Sequence, residues 1–253
     1  MPTAHLLHHG YTRRSEPQYF DDTPTDVLYQ PDVYGLAAAV ARRLGSSRII
    51  DVGCGNGHKL VELADEFEIV GIDFGPNIEW CRSHHSAGTW IEADLDVPGN
   101  LAADARDATI VCSDVIEHVL HPDRLIAKLR AALSQGRALL VSTPERDATH
   151  GGRNEGPPAN PSHIQEWTMR ELGALFRRSG FPYGSVGLTR NNTSEHHWST
   201  ILAAYANTPD ELSAVEDALI DTAKPVLPPE PVDSALGDVK RLGRRVARMV
   251  RRG

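Results

Sequence analysis

Cysteine is scarce in this 253-residue chain: Cys54, Cys81 and Cys112 are odd in number, widely spaced and form no CxxC. That excludes a disulfide framework and a zinc ribbon. No apolar run approaches the roughly 20 residues that a membrane-spanning helix needs, and the N-terminus lacks the basic-then-apolar pattern of a secretory signal. Nor is there a positive excess. Lys and Arg number 26 against 34 Asp and Glu, a net charge of −8, so the net basic face of a general nucleic-acid binder is missing. These absences lead us to expect a reduced, soluble, cytoplasmic protein. What remains is ordinary globular composition, 40% hydrophobic and 24% charged. It has enough length for one sizeable domain with an accessory segment.

Charge is unevenly spread. The segment Gly237–Gly253 has seven basic residues (Lys240, Arg241, Arg244, Arg245, Arg248, Arg251, Arg252) and one acid, Asp238. It therefore carries +6, and the rest of the chain −14. Ahead of it, Lys224–Pro231 contains four prolines and reads as an extended linker. We divide the chain into a cap segment at 1–40, a main domain at 41–206 and a helical extension at 207–253. The main domain alternates short apolar runs with amphipathic stretches. Strands are predicted at Arg48–Val52, Glu68–Asp73, Thr89–Glu92, Ala108–Ser113, Arg137–Ser142, Tyr183–Thr189 and Trp198–Tyr205. Apolar residues at i, i+3 and i+4 between them predict helices, one over Lys59–Phe67 and another starting near Thr168. Such alternation makes βαβ units and a doubly wound α/β fold with a mostly parallel sheet. The last two strands, with no helix between them, predict a hairpin.

The most informative stretch is Asp51-Val52-Gly53-Cys54-Gly55-Asn56-Gly57, where a buried strand enters a glycine-rich turn. Glycines let the backbone approach a ligand closely. A dinucleotide fingerprint would want glycine at position 58, which is His, so a nicotinamide cofactor is disfavoured. Asp73, Asp94 and Asp114 follow the second, third and fourth strands at nearly even intervals. Strand carboxyl ends share one edge of a parallel sheet, where ligands bind. Asp73 is placed for ribose hydroxyls and Asp94 for an adenine amine, although acids also cap helices at such positions.

With these residues the chain resembles the class I S-adenosylmethionine-dependent methyltransferases. The matching runs are DVGCGNG (Asp51–Gly57), GIDFG (Gly71–Gly75), EADL (Glu92–Leu95) and SDVIEHV (Ser113–Val119). The resemblance implies a seven-stranded sheet with an antiparallel last strand. It also implies cofactor contacts from Asp51, Gly53, Gly55, Asp73, Phe74, Asp94, Leu95 and Ser113.

A hydroxyl acceptor is a weak acid and needs a base, a metal or both. Asp114, Glu117 and His118 share one face if their turn is helical, and His163 precedes the helix at Thr168. Two carboxylates and two imidazoles suit a divalent ion; equally, they read as first-turn helix residues and a packed histidine. The run resembles two groups of metal-using O-methyltransferases, those of ubiquinone biosynthesis and the small-RNA 2′-O-methyltransferases. Carried over, that likeness implies Asp114, Glu117, His118 and His163 as ligands of a divalent metal, with Mg²⁺ expected. Asp114 stands where those groups usually have Glu. His150 is the expected general base, with His118 in that role where no metal binds. Glu145–Ser162 reads as an acceptor loop or lid. Tyr11, Tyr19, Phe20, Tyr29 and Tyr34 are expected to cover the cofactor or line the acceptor pocket, and His196, His197 and Trp198 to reach its edge.

Together these readings describe a metal-assisted O-methyltransferase with a small-molecule or oligosaccharide acceptor. The run Pro17–Asp22 resembles actinobacterial sugar methyltransferases of methylmannose polysaccharide synthesis. The alternatives are a quinone or phenolic acceptor, or a cofactor-binding regulatory module without turnover. No nucleic-acid partner and no membrane span are expected. The basic tail offers peripheral contact with an anionic surface, or with a second copy of the chain in a homo-oligomer.

Overall fold

The computed structural model describes residues 6–16, 18–21, 29–101, 105–152, 154–192 and 197–222. The proline-rich linker, the basic tail, Pro17, Asp22 and His196 lie outside the described residues.

Strands β1 (Arg48–Val52), β2 (Glu68–Asp73), β3 (Thr89–Glu92), β4 (Thr109–Ser113), β5 (Ala138–Pro144), β6 (Tyr183–Thr189) and β7 (Thr200–Ala206) form one sheet in the order β3-β2-β1-β4-β5-β7-β6. β1 to β5 run parallel, while β7 is antiparallel to both β5 and β6. This is the doubly wound sheet expected from the alternation of strands and helices, with the late hairpin in place.

Both faces are covered, and the strands alternate accordingly. Ile50, Ile110, Cys112, Leu139, Val141 and Ala203 enter one core. It is completed by α4 (Pro122–Leu133) and α6 (Met169–Arg178), which contribute Leu125, Leu129, Leu172 and Phe176. Ile49, Val111, Leu140, Leu202 and Ala204 enter the other, against α1 (Asp32–Leu44) and α7 (Pro209–Thr222). A period of two with apolar groups on both sides is what a sheet buried on both faces requires.

One local expectation differs from the structure. The helix expected over Lys59–Phe67 is only α2 (His58–Val61); beyond it, Leu63, Ala64 and Glu66 donate to the carbonyls three residues back. Glu62, Asp65 and Glu66 fall where a helix C-terminus would be, and negative charge is unfavourable there. The run after β4 is a single turn: the His118 N–H donates to the Val115 carbonyl at 2.9 Å, and α4 starts at Pro122. By contrast, α6 begins at Thr168 with a full capping box. The Thr168 side chain accepts from the Glu171 N–H, and the Glu171 carboxylate accepts from the Thr168 N–H.

Candidate active site

A cavity of about 400 Å³ opens at the carboxyl edge of the parallel strands, a size suited to a small-molecule cofactor. The glycine loop forms its floor. Gly53 has φ +83°, and a Cβ there would lie 2.3 Å from Val115 Cγ2. The Gly53 and Cys54 N–H groups both donate to the Ile72 carbonyl, at 2.7 and 3.1 Å. Asp73 is a cavity residue and holds the loop as well: its Oδ2 accepts from the Gly55 N–H at 2.8 Å and its Oδ1 from the Phe74 N–H at 2.7 Å.

Gly53, Gly55, Asp73, Phe74, Asp94, Leu95 and Ser113 all line the cavity. Asp51 does not. It is fully buried beneath the loop, where Tyr34 Oη donates to its Oδ2 at 2.6 Å. Tyr19, Phe20, Tyr29 and Tyr34 also line the cavity. Tyr19 bonds across it, donating to the Phe74 carbonyl and accepting from the Asn77 N–H, with its ring edge-on to Phe74. Tyr11 lies elsewhere, 5.0 Å from the Arg146 guanidinium. His197 and Trp198 are not among the lining residues.

Two lining or supporting residues had no motif to mark them. Lys59 brings the only Lys or Arg ammonium or guanidinium among the lining residues, with Nζ 4.9 Å from the centre of the Tyr34 ring. Gln30, only 2% exposed, donates to Asp114 Oδ1 at 2.7 Å and accepts from Ser113 Oγ at 3.1 Å. The signal for Lys59 was its place just after the glycine loop. None existed for Gln30.

Next to the cavity, Glu117, His118 and His163 place one ligand atom each within 4.8 Å of one another. The Ile164 N–H donates to the Glu117 carbonyl at 2.7 Å, pinning the His163 loop to the turn after β4. His118 Nδ1 lies 3.0 Å from the Ser162 carbonyl, so it carries the proton and leaves Nε2 as the basic nitrogen. Asp114, the fourth expected ligand, lies outside this group. Its φ of +62° swings the backbone into the left-handed region, and its side chain meets Gln30.

Electrostatics follow from burial. Burial and the neighbouring Asp114 carboxylate push the Glu117 carboxyl well above the ordinary range. Neither of its buried oxygens makes a well-formed hydrogen bond. Burial also raises Asp114, but Glu117, His118, Lys59 and His163 outweigh it and hold this carboxyl below its usual value. The His118 imidazole is pulled down to about 4, mainly by burial and then by His163, so it is neutral near pH 7. A buried carboxyl and two imidazoles form a donor set of the kind that holds a divalent cation, although His163 Nε2 already accepts from Asn160 Nδ2 at 2.9 Å.

His150 does not line the cavity. Its Nε2 lies 3.0 Å from Glu166 Oε2, and Glu166 Oε1 lies 2.6 Å from His163 Nδ1. The expected base therefore stands outside the cavity, with Glu166 between it and His163. The acceptor loop is strapped down by the N-terminal segment: Thr12 donates to the Glu155 carbonyl and Arg14 to those of Ile164 and Pro158.

A family model described as a methyltransferase domain matches residues 30–185. The chain is 29% identical over 147 residues to a probable S-adenosylmethionine-dependent methyltransferase of Mycolicibacterium smegmatis, covering 56% of this chain and 54% of that one. It is 30% identical over 108 residues to a ubiquinone biosynthesis O-methyltransferase of Xanthomonas euvesicatoria, covering 41% and 45%. It thus spans about half the length of these relatives. In fold it is similar to an S-adenosylmethionine-dependent methyltransferase from Mesorhizobium loti, with a TM-score of 0.53 and 18% identity over 70% of this chain and 98% of that one. It is also similar to the methyltransferase domain of bacterial CtHen1, with a TM-score of 0.51 and 20% identity over 70% and 97%. With the glycine loop, Asp73 and the 3-2-1-4-5-7-6 sheet, the family match places the chain among the class I S-adenosylmethionine-dependent methyltransferases.

Proposed function

We propose that the chain is an O-methyltransferase that moves the methyl group of S-adenosylmethionine to a hydroxyl of a sugar or other polyhydroxylated small molecule, assisted by a divalent cation such as Mg²⁺. The observation that carries this reading is the meeting of Glu117, His118 and His163 beside the cavity, with the Glu117 oxygens buried and lacking well-formed hydrogen bonds. Those three residues would hold the ion, His163 once the Asn160 amide gives up its Nε2. Bound there, a divalent cation supplies Lewis acidity that lowers the pKa of an acceptor hydroxyl.

The chain's own residues supply the rest. Asp73 faces the cavity to accept from ribose hydroxyls, while Asp94 and Leu95 border the place for adenine. Lys59 offers a cation for the methionine carboxylate, and Ser113 and Gln30 hold Asp114 in place. Tyr19 and Phe74, in edge-on contact, line the mouth of the cavity beside the place for the cofactor. Holding donor and acceptor in line in this way supplies much of the rate enhancement that two-substrate transfer needs.

The likeness of Pro17–Asp22 to sugar methyltransferases puts oligosaccharides first among acceptors, and the ubiquinone-biosynthesis relatives put phenols second. A metal-free reading also has an observation behind it: His118 lines the cavity with Nε2 unprotonated and can take the hydroxyl proton itself. Methyl transfer from labelled cofactor across a panel of oligosaccharides, glycosides and catechols, with and without chelator, separates these. Transfer to a saccharide that chelator abolishes supports the leading reading, and transfer indifferent to chelator moves the proton to His118. No transfer to any hydroxyl would leave a cofactor-binding module without turnover.

A further inference from the structure

Asp114 lies outside the group of Glu117, His118 and His163, yet a buried row of hydrogen bonds fixes its side chain in the cavity wall. Ser142 Oγ donates to Ser113 Oγ at 2.9 Å, Ser113 Oγ donates to Gln30 Oε1 at 3.1 Å, and Gln30 Nε2 donates to Asp114 Oδ1 at 2.7 Å. A carboxylate can only accept, so the Gln30 amide has one orientation and every proton in the row points toward Asp114. Ser142, Ser113 and Gln30 are 0%, 3% and 2% exposed. Gln30 and Asp114 also share a strained backbone, with φ of +50° and +62°; such strain persists only where the surroundings enforce it. Next to Gln30, the Tyr29 carbonyl accepts from Lys59 Nζ at 3.1 Å. Two consecutive residues thus hold a carboxylate and an ammonium of one cavity wall. They are themselves docked beyond the end of β6: the Gln30 N–H donates to the Asn191 carbonyl at 2.7 Å, and Tyr29 bridges to Asn192.

Sheet order says which part of a ligand meets these charges. Asp94 follows β3, Asp73 ends β2, the glycine loop follows β1 and Asp114 follows β4, and the four strands are neighbours in that order. A nucleoside with adenine by Asp94 and ribose by Asp73 therefore extends its 5′ substituent toward the glycine loop and Asp114. β1 and β4 run side by side with Asp51 level with Val111, so the loop and Asp114 leave the sheet next to one another. We propose that Tyr29 and Gln30 form a clamp that presents Lys59 and Asp114 as a matched pair to the α-amino-acid end of S-adenosylmethionine. Asp114 accepts from its ammonium, Lys59 donates to its carboxylate, and Gln30 is the positioning residue of the pair. The inference rests on the cofactor reading of the cavity and needs no metal. A zwitterion asks for one charge of each sign at a fixed separation, and groups held in place beforehand lose less freedom when the ligand arrives. A glutamine that served packing alone would not need to direct an N–H at a carboxylate of the cavity wall.

The test uses the full chain and two ligands, read by calorimetry. S-adenosylhomocysteine carries the amino-acid end; 5′-methylthioadenosine keeps the nucleoside and the sulfur but lacks that end. Gln30→Met, Asp114→Asn and Lys59→Met are each expected to weaken S-adenosylhomocysteine about tenfold or more, the loss of one hydrogen bond to a charged group. Binding of methylthioadenosine should stay at the wild-type level in all three. The double variant Gln30→Met/Asp114→Asn should lose no more than Asp114→Asn alone, because Gln30 acts through that carboxylate; additive losses would overturn its positioning role. Equal weakening of both ligands would overturn the inference in favour of a residue that shapes the whole cavity. Unchanged affinity for S-adenosylhomocysteine, or a wild type that binds both ligands equally well, would overturn it too. Should Gln30→Met not fold, Asp114→Asn and Lys59→Met carry the test: selective loss in both supports the clamp, and its absence in either sinks it. A wild type that binds neither ligand overturns the cofactor reading and this inference with it.

Discussion

Asp51, Asp73 and Glu117 are three acids near one cavity with three different fates. Asp73 closes the glycine loop through two backbone N–H groups and still faces the cavity. Asp73→Ala should weaken binding of the cofactor or its demethylated product at least about tenfold, a loss near 1.4 kcal/mol, as read by calorimetry; unchanged affinity would remove it from the ribose subsite. Asp51 points inward to Tyr34, so Asp51→Asn should act on stability first. Glu117 has both oxygens buried without a well-formed hydrogen bond, an arrangement that folding alone does not favour. Glu117→Met, similar in volume, is expected to leave the protein as stable or to stabilise it by about 1–3 kcal/mol while abolishing the metal-dependent transfer proposed above. A large loss of thermal stability in that variant would show that the carboxyl serves the fold rather than the chemistry.

At the scale of elements, the loop between β1 and α2 has the least freedom to vary. A methyl group at Gly53 meets Val115 at 2.3 Å, and the position's φ of +83° is itself strained for any other residue. Val115 belongs to the turn that carries Asp114, Glu117 and His118, so Gly53→Ala should disturb the cavity floor and that turn together. The expected result is loss of cofactor binding with a lower melting temperature; a variant that binds normally would show that the turn can shift. The start of α6 is a simpler case. Thr168→Ala removes one side of its capping box and should cost about 1 kcal/mol in denaturant unfolding.

Across the whole molecule, the N-terminal segment, α5 (Arg146–His150) and α6 are joined through one charge network. Glu171 pairs with Arg146 at 2.8 Å and accepts from the His8 N–H at 2.9 Å. Burial pushes the Glu171 carboxyl up, but Arg146 and the Thr168 and His8 N–H groups bring it below its ordinary 4.5. A carboxyl lowered by folding stabilises the protein fully above its unfolded value, and that contribution fades as pH falls through the lowered one. Wild type should therefore exceed Glu171→Gln in stability near neutral pH, with the gap shrinking by pH about 4. A gap that stays constant with pH would mean that the charge on Glu171 contributes nothing. No helix among the described residues is long and apolar enough to cross a membrane.

Much of this architecture was legible in the residues themselves. All seven strands coincide with the predicted runs to within two residues at either end; the Arg137 run ends two residues short of the end of β5, and the Trp198 run begins two residues before β7. The glycine loop and the evenly spaced acids identified the cavity edge because strand periodicity and glycine backbone freedom are local properties. The approach of Gln30 to Asp114 across 84 positions could not be read that way. Nor could the meeting of His150, Glu166 and His163, or the inward turn of Asp51 beside the outward one of Asp73. A side chain's direction at a strand end depends on one or two backbone angles, such as the +62° at Asp114, and on which distant segment packs against it. Sequence by itself determined the order of strands and helices and the chemistry available at the sheet's edge. Which carboxylates and imidazoles meet was decided only by tertiary packing, because long-range contacts and not local preference set those directions.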